Sequence, residues 1–387
     1  MNTPRRAFSL TELLVVIAVI GVLAYVGLSA FPSMLRASDR TLANNQLRLA
    51  LGAARDAAIR GDGTDAAAVF TYDPATRRMS IVPCVKVGTF KDRDPDPARA
   101  TFPQNSIDRE LFVPLANVSS PQLPSGWLIA GLAEKSMLDA NPDNPTGWYI
   151  TSAERPVTDT TKNNAYGAWV LPETDYYNPK TDPSRLANDI PYHRCSFMVR
   201  FAARTGVVMT GEAAPAAVLI PRPTALGRLN TPGERALRPD LSDNLVQWSK
   251  RLLSRSTTLV NGVDGAGAVS VQDVAEVLGA ARLDSVLAAS VTSLAIMNAD
   301  ELAKGMGIRA NSRETGTPYE ISPEGDPRPK WDTNAFGSQS RTLASDNMFK
   351  WVMGTLTTPA TQGKAVTSDV QIFVVQASTG LPEPMTE

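Results

Sequence analysis

The sequence predicts an α+β fold. A long N-terminal helix, membrane-spanning in its first half, packs on an antiparallel β-sheet head that carries a large loop-rich and helical insertion. Three observations predict it. Residues 13–31 are 19 positions without a charge, and only Ser29 among them is plainly polar. Residues 36–60 then switch to an amphipathic helical pattern. Beyond Gly61 short strand-like runs alternate with turn residues, and a block of helical period interrupts them from Leu241 to about Met306.

The helix comes first. About 20 residues rising about 1.5 Å each span a hydrocarbon core of about 30 Å. Arg5 and Arg6 precede the run and the first charge after it is Arg36, which favours a cytoplasmic N-terminus with the rest of the chain outside. Glu12 stands one turn inside the apolar block, where a carboxylate is costly and looks for a positive partner. Ser9-Leu10-Thr11-Glu12 also has the form of a capping box, which an ordinary anchor would share. A cleaved secretory signal fits less well, because its apolar region is about 7–15 residues and Leu28-Ser29-Ala30 is a poor cleavage site. Leu42, Leu47, Leu49, Leu51, Ala54, Ala58 and Ile59 continue the helix to Arg60, and Gly61-Asp62-Gly63 ends it. From Phe8 to Arg60 is 53 residues, roughly 80 Å, with kinks expected at Gly21 and Pro32.

The head follows. Residues 67–72 and 78–82 read as strands about a turn at Asp73-Pro74-Ala75-Thr76. Residues 195–201 read as another strand, with Thr205-Gly206-Val207-Val208 turning after it. Between them residues 86–192 read as loops rich in Pro, Asn, Asp and Thr, with short strands at 127–131, 147–151 and 167–171. Tyr166, Trp169, Tyr176 and Tyr177 are either an exposed contact surface or anchors pinning these loops to the core, and the second reading is preferred. Helices are expected at 241–254, 271–281 and 283–297, and Asn298 caps a further one at 299–305 with Glu301 three residues on. Residues 369–376 are a strand, and 381–387 a frayed tail. The divisions are then 1–7 leader, 8–35 membrane segment, 36–60 amphipathic helix, 61–215 β-rich head, 216–310 helical insertion and 311–387 C-terminal region.

The inventory excludes much chemistry. With 38 Lys+Arg against 39 Asp+Glu the net charge is −1, which argues against a strongly basic nucleic-acid binder. Arg77-Arg78 and Lys250-Arg251 are ordinary solvated pairs. Two cysteines and one histidine are too few for a Cys/His zinc site or a disulfide-dense scaffold. No P-loop, GxSxG or HExxH occurs, and no cofactor is expected. In a calcium-loop alignment Asp264, Gly267, Ser270 and Asp273 fall at positions three, six, nine and twelve. Gly262 and Ala266 then occupy the first and fifth ligand positions without ligating side chains, so a Gly-rich helix–helix turn is preferred. His193 and Cys195 share a strand face but lack a third orienting group, and catalysis there is rejected. Cys84 and Cys195 are a candidate disulfide, with two separate buried thiols the alternative.

Arg5-Arg6-Ala7-Phe8-Ser9-Leu10-Thr11-Glu12-Leu13-Leu14 resembles the N-terminal signal of type IV prepilins and pseudopilins. The resemblance implies a pilin-like fold and cleavage by a prepilin peptidase between Ala7 and Phe8, with methylation of the new Phe8 amine. It implies that Glu12 pairs with the terminal amine of a neighbouring subunit. The family usually has Gly before the cut, where this chain has Ala7. Ala54-Arg55-Asp56-Ala57-Ala58-Ile59 is similar to the A-R-x-x-A-I stretch of GspH/FimT-type minor pseudopilins, in which a β-hairpin follows.

The resemblance implies a structural subunit of a type II secretion or type IV pilus-like filament, not an enzyme. Its expected partners are the prepilin peptidase, other pilin or pseudopilin subunits and an inner-membrane platform with its secretion ATPase. Its expected place is a single pass in the bacterial inner membrane, with a periplasmic head. The alternatives are a membrane-tethered envelope binding protein or enzyme with an uncleaved anchor, and a tip adhesin or DNA-binding minor pilin.

Overall fold

A computed structural model describes residues 10–61, 63–73, 78–93, 106–116, 118–133, 167–172, 194–209, 216–219, 246–247, 249–250, 253, 285–305, 320–321, 329–330, 341–356 and 368–385. Helix α1 spans Leu10–Arg60, 51 residues or about 77 Å, and its helical assignment continues through both Gly21 and Pro32. Ala43, Leu47, Ala50, Leu51, Ala54 and Ala58 recur every three or four residues and are all fully buried. Leu42, Leu49 and Ile59, expected with them, lie on the outward side instead. The helix stops where the glycines predict. Gly61 N–H donates to Ala57 O at 2.8 Å, and Gly63 takes the left-handed φ of 77° that the reversal needs.

The first strands are β1 (Ala66–Asp73), β2 (Arg78–Arg93), β3 (Ser106–Pro114), β4 (Trp127–Ala133), β5 (Ala168–Val170), β6 (Arg194–Phe201), β7 (Val208–Met209) and β8 (Ala216–Leu219). Next come β9 (Ser285–Ser290) and β10 (Ser293–Asn298), helix α2 (Ala299–Gly305), the small pair β11 (Glu320–Ile321) and β12 (Pro329–Lys330), and helix α3 (Arg341–Val352). The chain closes with β13 (Gln371–Val375) and β14 (Pro382–Pro384).

One sheet runs β1-β2-β3-β8-β9-β6-β7, and β1 also pairs with β6. That second pairing closes six strands into a barrel. The expected antiparallel sheet is thereby corrected: β3–β8 and β6–β9 are parallel, and the sheet has no open edge along the barrel. Period-two alternation sorts the side chains. Ala67, Val69, Val82, Cys84, Phe112, Met198, Ala216, Val218, Val286 and Ala288 fill the lumen. The alternate positions Ala68, Phe70, Tyr72, Met79, Ile81, Phe197, Val199 and Phe201 form the outer wall, on which the buried stripe of α1 packs. Phe70 and Phe197 stack there at 4.6 Å.

The second sheet runs β14-β13-β10-β4-β5 and is antiparallel throughout. It lies against the barrel close enough that a Cβ on Gly131 would sit 2.8 Å from the Phe197 ring. The turn between β9 and β10 bonds to both layers. Val291 N–H donates to Met198 O in the barrel at 2.9 Å, and Thr292 O accepts from Val375 N–H in the second sheet at 2.8 Å.

Several expectations are met, at shifted boundaries, by β1, β2, β4, β5, β6 and β13. Glu301 N–H donates to Asn298 Oδ1 at 3.3 Å, so Asn298 caps α2 as expected. Trp169 is buried in the core, as the anchor reading requires. Others are overturned. The helix expected at 283–297 is the pair β9–β10, part of a stretch expected to be helical insertion. These strands are buried on both faces, so their apolar run lacks alternation and looks helical. The excursion expected from Lys86 contains the end of β2 and all of β3, paired from Arg93–Ser106 inward to Cys84–Pro114. Their outer portion alternates Lys, Asp, Arg and Glu, which carries no apolar signal. The expected frayed tail contains β14, bound to β13. Of the helix at 241–254, residues 246–247, 249–250 and 253 are helical. The elements expected at 147–151 and 271–281 lie outside the described residues, as do the loop 264–273, Tyr166, Tyr176, Tyr177 and His193.

Candidate functional site

The two halves of α1 have different surroundings. Every described side chain from Leu10 through Ser38 is exposed, Leu10 at 79% and Met34 at 69%. Leu13, Leu14, Val15, Val16, Ile17, Val19 and Ile20 are apolar on all sides of the helix and are exposed among the described residues. Water does not tolerate such a surface cheaply, at roughly 25 cal/mol per Å². Among the described side chains alone, no helix is long and apolar enough to cross a membrane. The uncharged run 13–31 read from the sequence includes residues 21–30, which those side chains do not cover.

A polar ladder marks where the bare half ends. Arg36 reaches Glu301 Oε1 at 3.1 Å, Arg40 reaches Asp369 Oδ1 at 2.7 Å, and Asn44 Nδ2 donates to Gln371 Oε1 at 2.8 Å. The spacing of four puts all three on one helical face. They tie α1 to the second sheet and α2, and burial begins among them, at Ala43 between Arg40 and Asn44.

Of the residues expected to carry function, Ala7 and Phe8 lie outside the described residues. Glu12 sits on the first turns of α1, and its side chain is outside the description. Cys84 and Cys195 are not brought together as a disulfide: Cys84 is a free thiol inside the barrel. Burial pushes its pKa up, so it stays neutral. Cys195 occupies the alternate register of β6, whose positions Ser196 and Met198 are paired with Ala288 and Ser290, and its side chain is outside the description.

The sequence reading missed a second polar feature. Arg200, only 2% exposed, contacts Asp65 Oδ2 at 2.6 Å with one nitrogen and Glu110 with the other. Lys86 contacts Glu110 and stands 4.0 Å from Asp65. The Arg200 guanidinium also lies 5.3 Å from the Phe112 ring centre. The available signal was register: Lys86 follows Val82 and Cys84, Glu110 precedes Phe112, and Arg200 follows Met198, each two residues from a lumen side chain. Burial alone would raise the Asp65 pKa. The Arg200 hydrogen bond, the Ala203 N–H and the charges of Arg200 and Lys86 outweigh it and hold that carboxyl below the ordinary range. Among the described residues no group of His, Cys, Asp and Glu is arranged to hold a metal.

Residues 2–24 match the family model for the prokaryotic N-terminal methylation motif. The match covers Ala7, Phe8 and Glu12 and runs into the bare half of α1. Neither the curated proteins nor the solved structures gave a match to the chain.

Proposed function

Proceeding from a chain that carries a type IV pilin- or pseudopilin-like prepilin motif, we propose that it is a minor pseudopilin or pilin. It is then a structural subunit of a type II secretion or type IV pilus-like filament, working by assembly and not by catalysis. One observation carries the reading: the motif leads without a break into a helix whose described apolar side chains from Leu10 to Leu35 are all exposed. The similarity of residues 54–59 to GspH/FimT-type subunits supports that narrower placement.

A prepilin peptidase removes residues 1–7 and the new Phe8 amine is methylated. Before assembly the helix rests in the bacterial inner membrane, N-terminus inside and head in the periplasm. Moving it into a filament exchanges lipid for neighbouring helices, close to neutral in apolar burial. The Glu12 carboxylate then pairs with a neighbour's terminal amine, and in a low-dielectric bundle that pairing selects the register. No nucleotide-binding motif is present, so an assembly platform with its secretion ATPase supplies the work. Mass spectrometry of the membrane-extracted protein tests this. The expected mass lacks residues 1–7 and carries a methyl group on Phe8.

Ala7, where the family usually has Gly, favours a second reading: an envelope protein on an uncleaved tether. In that case the same spectrum shows residues 1–7 intact.

A further inference from the structure

The polar ladder stands at a fixed distance along α1 from Glu12. We propose that the ladder is a depth stop for the membrane-stored subunit. It holds Arg36 at the outer face of the hydrocarbon and so places position 12 in the inner headgroup layer, out of the lipid interior, until assembly draws the helix outward. The proposal rests on the membrane-stored state of the preceding section and adds where the two ends of the stored helix lie.

Three observations support it. First, α1 runs as one helix from Leu10 to Arg60, so sequence separation converts into length. Arg36 is 24 positions after Glu12, with no charge between them, which is about 36 Å at about 1.5 Å per residue. A hydrocarbon core is about 30 Å thick. Both charges therefore fit outside it together, and at the usual tilt of about 20° the run still covers about 34 Å. Second, the ladder resists sinking. Arg36 contacts Glu301 and Arg40 contacts Asp369. Lowering the helix past Arg36 takes charges of both α1 and the head into lipid, where ionised groups are costly. Nor does α1 slide through the head, because Ala43, Leu47, Ala50, Leu51, Ala54 and Ala58 are fully buried against it. Third, lifting is resisted as well. Phe31, Met34 and Leu35, just below the ladder, are exposed large apolar side chains. Raising the head moves that surface from lipid into water.

The helix therefore seats as deep as Arg36 allows. Counting down about 30 Å from there reaches about position 16, and Glu12 lies a further turn below it. A carboxylate at that depth meets headgroups and water. Drawing the helix outward carries position 12 into the hydrocarbon, where an ionised carboxylate is costly. The residue that selects register in the filament thus also holds the unassembled subunit in the membrane.

Spin-label accessibility of the full chain in vesicles of phosphatidylcholine and phosphatidylglycerol tests the stop. Leu13→Cys, Ile20→Cys and Leu35→Cys each add one label and leave Glu12 and Arg36 in place, with the labelled wild-type chain as the blank. Depth is read as the ratio of relaxation by a water-soluble nickel chelate to relaxation by oxygen. The expected ratio is higher at positions 13 and 35 than at 20, and several-fold higher at 13. With Arg36→Leu and Glu301→Gln added, the lowest rung is gone, and the ratio at position 35 falls to the level of position 20. A ratio at 13 as low as that at 20, or a ratio at 35 that ignores the loss of the rung, would overturn the stop and leave the membrane-stored state standing. High ratios at all three positions would overturn the membrane-stored state and the stop with it.

Discussion

Helix α1 has two halves that differ in the width of their apolar surface. From Leu10 to Leu35 the apolar residues circle the axis, and every described side chain is exposed. From Ala43 to Ala58 they form one stripe, and that stripe is fully buried on the barrel. An apolar surface wider than one stripe cannot be satisfied by a single neighbouring wall. The first half therefore needs an environment that surrounds it, and the second needs only its own head. The ladder Arg36, Arg40, Asn44 lies at the change.

Substitutions can break this comparison, and the largest effect is expected in the docked half. Leu51→Ala should destabilise the head by about 2–5 kcal/mol, because Leu51 is fully buried. Leu14→Ala in the bare half should change the melting of the head by less than about 0.5 kcal/mol. Thermal unfolding of both variants in detergent measures the contrast, and equal losses would erase it. A smaller loss, about 1–3 kcal/mol, is expected for Gly131→Ala, because its new methyl meets the Phe197 ring that also supports α1. Chemical denaturation measures it, with an unchanged midpoint contradicting the tight packing of the two layers.

Asn298→Ala removes the cap of α2 and should cost about 1 kcal/mol, read in the same way. Within the docked half the smallest effect belongs to the ladder. Arg36→Ala should cost at most about 1 kcal/mol and less in high salt, since its side chain is 58% exposed. A larger loss would mean that the ladder, and not the buried stripe, holds the upper half of the helix.

How far the sequence alone led follows the same physics. The end of α1 was legible because Gly61 and Gly63 do a job few other residues can do. The strands β1, β4, β6 and β13 were legible from bounded apolar or alternating runs. The pair β9–β10 was not, because burial on both faces removes the polar half of the alternation. Closure of the barrel was illegible too. It depends on β1 meeting β6 more than a hundred residues away, and no local pattern records that meeting. Pro83 hid the length of β2. Its carbonyl accepts the Leu115 N–H on the β3 side, just past the last paired residues Cys84 and Pro114, so a missing N–H there breaks no ladder. The methylation motif at residues 2–24 was legible because such a signal is linear and needs no folded contacts. The cluster at Arg200 was not, because its four members come from separate segments and meet only after folding.

The central claim is that the bare half of α1 is an assembly surface whose register depends on one carboxylate. Its most direct measurement compares wild type with Glu12→Ala for loss of residues 1–7 and for recovery in sheared filaments from cells making the full set of subunits. The account predicts that the variant is trimmed normally and retains its head fold, yet falls at least tenfold in the filament fraction. Recovery of the trimmed variant at the wild-type level would contradict it.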